Sequence, residues 1–178
     1  MDLVVISVRY ARALLESATK AKTEDMVYDE MHTLAHSYLE VPQLRSAIGN
    51  PMLATEKKVN LLVCACGKKV SDLTKRFISL VVREDREFAL QFMANSYITL
   101  YRKQKNIIHG KLITATAVSS QIEDKMKQMV ANRTNATVEF QTEVDPSLVG
   151  GFVLEYDTYS LDMSVKRQLN DIIKHLNK

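Results

Sequence analysis

The residues able to do chemistry are few, and their spacing decides against most of it. Cys64 and Cys66 are metal-ligand and redox types, but a structural zinc site needs about four ligands, usually as two pairs. No second cysteine pair exists, and positions i and i+2 on a helix diverge. The two therefore read as small buried residues. They are too close for a disulfide framework, which fits a reducing compartment. His32 and His36 stand at i, i+4 and share a helix face, but the metalloprotease motif needs a Glu beside the first His, where this chain has Thr33. They read as a solvated face, and His109 and His175 have no context that favours a role. Gly67-Lys68-Lys69 lacks the upstream Gly and the Ser or Thr of a phosphate-cradling loop. Gly150-Gly151 is not followed by Lys-Ser/Thr either. No nucleophile, base and orienter stand at a recognisable spacing. The expectation is a protein without catalytic, cofactor-binding or metal residues, and not an enzyme.

The remaining question is what such a chain supports instead. Its 178 residues can form one domain or two small ones, at roughly 150 residues per domain. Hydrophobic residues make up 46%, and Gly and Pro are scarce, an ordinary helix-rich globular composition. The net charge of +3 is a weak excess, and Lys and Arg are interleaved with Asp and Glu rather than gathered on one face as nucleic-acid binding requires. The opening Met1-Asp2 is not a basic leader, Arg9 and Arg12 interrupt the first apolar stretch, and no run approaches the ~20 apolar residues that span a bilayer. A soluble, cytoplasmic protein is expected.

The first hundred residues read as six helices. In the first, Arg9, Arg12, Glu16 and Lys20 make the only charged stripe, with favourable i, i+4 neighbours. Leu3, Ile6, Tyr10, Ala13 and Leu14 lie on one side, and Val8, Ala11, Leu15 and Ala18 on another. That apolar arc exceeds what one packed face needs, so contact on two sides is expected. Thr23 is the expected N-cap of a second helix, with Val27, Met31, Leu34, Ala35 and Tyr38 inward. Pro42 and Gly49 bracket a third helix, and Thr55 and Gly67 a fourth with Val59, Leu62, Val63 and Cys66 inward. Ser71 caps a fifth, in which Leu73, Phe77, Leu80 and Val81 share one face while Ile78 and Val82 occupy another. The sixth, from about Arg86 to Asn106, turns Leu90, Met93, Ala94, Tyr97 and Tyr101 inward. Short links between them imply a helical bundle.

The period changes at His109-Gly110. Lys111 to Val118 is strand-like, and Ser120-x-x-Glu123 is a capping box opening a helix with Ile122, Met126, Met129 and Val130 on one face. Val138, Phe140, Thr142 and Val144 alternate with polar residues as a half-buried strand does. Asp145-Pro146 turns the chain, and the paired Gly150 and Gly151 suggest positive φ or a close backbone approach before the strand Phe152–Tyr156. Val165, Leu169, Ile172, Ile173 and Leu176 then form one face of a closing helix. The expected fold class is α+β, mostly helical: a six-helix bundle at 1–105, a hinge at 106–110, and a small β-α-β-β-α domain at 111–178. A core of that size is expected to lean on a neighbour or partner.

The run Val138-x-Phe140-x3-Val144-Asp145-x2-Leu148-x-Gly150-Gly151-Phe152-x-Leu154, followed by Asp162-x-Ser164-Val165, resembles the signature of the δ subunit of bacterial F-type ATP synthases, whose mitochondrial counterpart is the oligomycin-sensitivity-conferring protein. The chain departs at Asp157, where the family often has a small residue. Tyr10-Ala11-x-Ala13-Leu14 and Asn50-Pro51 with Lys57 resemble the family's opening pattern and a turn in its helical half, so the similarity covers nearly the whole chain.

The resemblance implies a non-catalytic stator subunit of a proton-translocating synthase. It implies an N-terminal bundle that binds the N-terminal helix of an α subunit between its first and fifth helices, where Tyr10, Leu14, Phe77 and Leu80 are the candidate contacts. It also implies a C-terminal domain that binds the C-terminal ends of the b subunits. No nucleic acid or membrane insertion is implied, and the location is the cytoplasmic side of the bacterial inner membrane. The alternative is a small helical RNA-binding or antitermination-type module, favoured only by a pI near 8.8 and a helical bundle.

Overall fold

The computed structural model describes residues 3–134, 136–156 and 159–176, so Asp157 lies outside it. The fold is α+β and mostly helical, with eight α-helices and four strands among the described residues. It divides into two compact units, Met1–Arg102 and Lys103–Lys178.

The first unit contains α1 (Leu3–Ala21), α2 (Glu24–Glu40), α3 (Pro42–Ile48), α4 (Thr55–Ala65), α5 (Asp72–Arg83), a 3-10 turn (Glu87–Ala89) and the greater part of α6 (Leu90–Gln104). Its core is built from periodic faces. Ala11, Leu14, Leu15 and Ala18 come from α1, Val27, Met31 and Leu34 from α2, and Leu90, Met93, Ala94 and Tyr97 from α6. Burying each large side chain contributes about 1.5–3 kcal/mol, so these faces, not helix propensity, hold the helices. The hydroxyl groups of the two inward tyrosines of α6 find acceptors on the start of α2: Tyr97 donates to the Glu24 carbonyl at 3.1 Å and Tyr101 to Asp25 Oδ1 at 2.7 Å. Lys58 and Glu87 make a largely buried ion pair at 2.7 Å, which ties α4 to the 3-10 turn.

Some local expectations need correction. Thr23 stands at the N-cap position of α2, but its side chain makes no capping hydrogen bond. Its φ of −122° and ψ of 14° are not the extended geometry from which a capping hydroxyl reaches the first amides. Thr55 is already helical, and Ala54 holds the cap position. The charges of Arg12, Glu16 and Lys20 close no ion pair among the described residues: three exposed, flexible side chains gain little by pairing in water.

In the second unit, β1 (Ile107–Thr114), α7 (Ser120–Thr134), β2 (Thr137–Val144), a 3-10 turn (Pro146–Leu148), β3 (Phe152–Tyr156), β4 (Tyr159–Asp162) and α8 (Val165–Leu176) build one sheet of order β2-β1-β3-β4. The β1–β2 pair is parallel and the other two are antiparallel, so α7 is the crossover that a parallel pair requires. Leu112, Val130, Val138 and Leu154 form the core, with Met126, Ala131, Phe140, Phe152 and Tyr156 packed against it.

The sheet revises the sequence reading in several ways. Strand β1 begins at Ile107, four residues before the expected start, and ends at Thr114. Residues 107–110, expected as part of a hinge, lie in the sheet. Gly110 is there because the strand has no room for a side chain: a Cβ would meet the Glu155 carbonyl oxygen at 2.9 Å and the Phe140 ring at 3.0 Å. The exposed stretch at the unit boundary is 103–106. A fourth strand, β4, adds to the expected three, making the order β-α-β-β-β-α. Ser120 is inside α7, and the amides of Ile122 and Glu123 donate to the Ser119 carbonyl, so the capping box begins one residue too late. Of the expected inward face of α7, Val130 is buried, but Ile122 and Met129 are 45% and 39% exposed, because the small sheet covers only part of the helix. The face of α8 is also uncovered: Leu169, Ile172 and Ile173 are about half exposed.

Candidate functional site

The N-terminal end of α5 is fixed from two directions. Ser71, its N-cap, accepts a hydrogen bond from the Thr74 amide at 3.3 Å, which satisfies a donor the helix leaves open. The carboxylate of Glu30, buried on α2, accepts from both the Ser71 amide and its hydroxyl. Glu30 was not among the sequence candidates. Its signal was an acid set within the otherwise apolar face Val27-Met31-Leu34, where burial demands a partner.

With α5 so anchored, a groove of about 430 Å³ opens between α1 and α5, lined by Arg9, Tyr10, Ala13, Leu14, Ser17, Leu73, Arg76, Phe77 and Leu80. All four partner-contact candidates, Tyr10, Leu14, Phe77 and Leu80, line it, in two roles. Leu14 and Phe77 are 3% and 8% exposed and form the floor as part of the unit's own core. Tyr10, Ala13 and Leu73 are open to differing degrees, and Leu80 is 40% exposed; these are surfaces a partner can still cover. Of the two candidate stripes on α1, the one through Ala11, Leu15 and Ala18 faces the core, and the one through Tyr10 and Ala13 faces the groove.

Tyr10 does not swing freely. Its ring meets Phe77 edge-on with centroids 6.5 Å apart. Arg86 donates to its hydroxyl at 2.7 Å and lies over its ring at 5.4 Å. A guanidinium on an aromatic face is favourable by about 0.5–1 kcal/mol at an exposed site. The arrangement holds the ring as one wall of the groove. Arg86 too was missed, since only the fold brings it to Tyr10.

The paired glycines of the second unit serve a backbone turn. Gly151 has φ +74°, and a Cβ there would collide with the Met163 carbonyl. At Gly150 a Cβ would press on Val165 Cγ2 at 3.0 Å, while the Gly150 carbonyl accepts from the Val165 amide at 3.0 Å. Together they seat the turn against the start of α8. Val149, just before, has φ +65° with its side chain 70% exposed.

The other chemical candidates lie elsewhere. Cys64 is exposed and Cys66 buried; burial, and next the nearby Glu30 charge, push the Cys66 thiol up to about 12. His36 lies 3.3 Å from Glu40, and His32 neighbours the Tyr28 ring at 6.2 Å. Among the described residues no three His, Cys, Asp or Glu side chains gather as a metal site would. No described helix is long and apolar enough to cross a membrane.

The chain is similar over almost all its length to proteins of one kind. The family described as ATP synthase delta (OSCP) subunit matches residues 6–176. The ATP synthase subunit delta of Phocaeicola vulgatus is 48% identical over 173 residues, covering 97% of this chain and 94% of that protein. The chloroplastic ATP synthase subunit delta of Ochrosphaera neapolitana is 28% identical, covering 97% of each. A chain in the cryo-EM structure of the Toxoplasma gondii mitochondrial ATP synthase hexamer superposes with a TM-score of 0.70 at 21% identity, again over 97% of both chains, which shows the shared fold. The RNA-binding alternative finds no support among these. The chain belongs to the ATP synthase delta (OSCP) family and is a non-catalytic, peripheral-stalk subunit of the ATP synthase complex.

Proposed function

We propose that the α1/α5 groove receives the N-terminal helix of an α subunit of the catalytic head, and that residues 111–178 hold the C-terminal ends of the b subunits. The helices within 1–105 act as one bundle that grips the head, and the subunit lies peripherally on the cytoplasmic side of a bacterial inner membrane, in a synthase that translocates protons. Torque from the rotor is then resisted through a non-catalytic connector, which needs rigid docking surfaces and no reactive group.

The observation that carries this reading is the uncovered apolar wall of Leu73, Leu80 and Tyr10 above a buried floor, in a member of a stalk-subunit family. A helix about 10 Å across fits between two helices that present such a seam, and the gain comes from apolar burial at about 25 cal/mol per Å², less the cost of ordering a terminal segment. On the second unit, the half-exposed Leu169, Ile172 and Ile173 of α8 supply an apolar face for the b subunits.

The test is titration of an α-subunit N-terminal peptide into the full chain and its Leu80→Asp and Tyr10→Asp variants, with b-subunit binding measured in parallel. The expected result is loss of peptide binding by at least about tenfold, an effect typical of a central contact, with b binding retained. Ile172→Asp is expected to do the reverse. Peptide affinity unchanged in Leu80→Asp would remove the groove from consideration.

A further inference from the structure

The walls of the groove carry charge of one sign. Arg9 projects from α1 and Arg76 from α5, both exposed, and among the described residues no carboxylate lines the groove. The cations around it differ in how they are engaged. Arg86 is committed to Tyr10, Lys75 lies 3.4 Å from Asp72, and Arg83 lies 3.8 Å from Glu84. Arg9 and Arg76 make no ion pair or hydrogen bond among the described residues. Arg9 also borders the neighbouring hollow that Glu16 lines, without pairing to it. The groove thus has an apolar floor, open apolar walls and, on each of its two helices, a guanidinium that pairs with no described residue.

We propose that Arg9 and Arg76 are specificity-determining residues, and that the groove selects an amphipathic helix whose apolar stripe is flanked on both sides by acidic residues. The proposal rests on the reading of the groove as a helix-docking site, and it goes beyond that reading by fixing the occupant's charge pattern. A helix with its apolar stripe on Leu14 and Phe77 puts the positions beside that stripe over the two walls. Docking strips water from both guanidinium groups. A carboxylate replaces that water with a charge-assisted, potentially bidentate contact; a Lys or Arg at the same position meets like charge as water leaves. The rejection of basic helices is as much a part of the selection as the attraction of acidic ones. The same charges speed encounter and make affinity partly salt-sensitive, so docking is not wholly indifferent to salt as apolar burial alone would make it. The effect stays far below the thousandfold and greater losses of a protein that neutralises many phosphates.

Two designed peptides with one apolar stripe test this, one with Glu at the flanking positions and one with Lys, each titrated into the full chain at low and high salt. The expected result is that the Glu-flanked peptide binds about tenfold tighter at low salt, in line with two modest ion pairs and the repulsion they replace, and that the gap narrows at high salt. In Arg9→Gln/Arg76→Gln the gap is expected to close, chiefly through weaker binding of the Glu-flanked peptide, while the Lys-flanked peptide binds as well as before or better. An unchanged melting curve shows that the variant remains folded; both positions are exposed, so it is expected to. Equal affinity of the two peptides for the unaltered chain overturns the proposal while leaving the groove as a docking site. A gap that survives the double replacement does the same. If neither peptide binds, or if binding is untouched by Leu80→Asp, the docking reading fails and the charge selection fails with it.

Discussion

The carboxylate of Glu30 on α2 and the backbone amide of Ser71 at the start of α5 are hydrogen-bonded across a gap of 41 residues in sequence. Ser71 is at the same time the cap of α5, so one acid holds the residue that holds the helix. Glu30→Ala is expected to cost about 2–3 kcal/mol, because it leaves a part-buried amide and hydroxyl without their charged acceptor. Glu30→Gln, which can still accept one bond, is expected to cost about 1 kcal/mol. Urea denaturation measures both. In a double-mutant cycle Glu30→Ala and Ser71→Ala should be strongly non-additive; simple additivity would show that the two do not act as a unit.

At the turn before β3, the two positive-φ residues should respond in opposite ways. Gly151→Val meets both the positive φ and the Met163 carbonyl and is expected to destabilise the second unit by about 2 kcal/mol or more. Val149→Gly removes a β-branched residue from a conformation it rarely adopts, and at 70% exposure little packing is lost. It is expected to stabilise by about 0.5–1 kcal/mol. Thermal melts of the two variants read the opposite signs directly.

Acid should act on the second unit through Asp145 and Asp162. The Ser147 amide and hydroxyl lower the first, and the Ser164 side chain and amide lower the second, below the ordinary aspartate value. A carboxylate with a depressed folded pKa contributes stability that is fully present above its unfolded value and lost as pH falls through the folded value. The loss therefore falls below about pH 4, the unfolded aspartate range. Carboxyl-carbon NMR titration should place both midpoints below those of free aspartate, and Asp162→Asn should make the acid transition shallower.

The two cysteines should separate cleanly in thiol labelling. At neutral pH in native buffer an aromatic disulfide reagent is expected to consume Cys64 quickly and Cys66 only at the rate of unfolding, because Cys66 is 3% exposed and its thiol is raised to about 12. Denaturant should make both react. The raised value also means that the unfolded chain ionises this thiol first, so stability should fall as pH rises from the ordinary thiol range towards 12.

What was legible in the sequence followed the reach of each signal. The inward faces of α2 and α6 were legible because a 3.6-residue period is a local property. The stripe of α8 was equally legible, yet the structure leaves Leu169, Ile172 and Ile173 about half exposed: periodicity shows that a face wants cover, not what covers it. Strand β4 escaped notice because four exposed or half-exposed residues at a sheet edge carry no alternation of burial. Gly110 was misread because a glycine beside a polar residue marks a break in most chains, while here it admits the Phe140 ring of a neighbouring strand. At the groove, the pattern alone offered two faces on α1. The choice of Tyr10, Leu14, Phe77 and Leu80 came from family resemblance, and the structure places all four around one groove. Arg86 was out of reach because Tyr10 is far away in sequence; Glu30 left a signal, an acid inside an apolar face, but nothing local pointed to Ser71 as its partner.

The central place of β1 in its sheet bears on how the chain leaves the ribosome. Every residue of the first unit precedes Lys103, so that unit can close while the rest is still being made. The second unit cannot grow strand by strand in the same way. Its first strand needs β2 on one side and β3 on the other, and β3 begins only at Phe152. Until synthesis reaches that point, β1 has an unsatisfied edge that can pair with strands of other chains. Synthesis that pauses between β1 and β3 is the moment at which this small sheet is most exposed to aggregation.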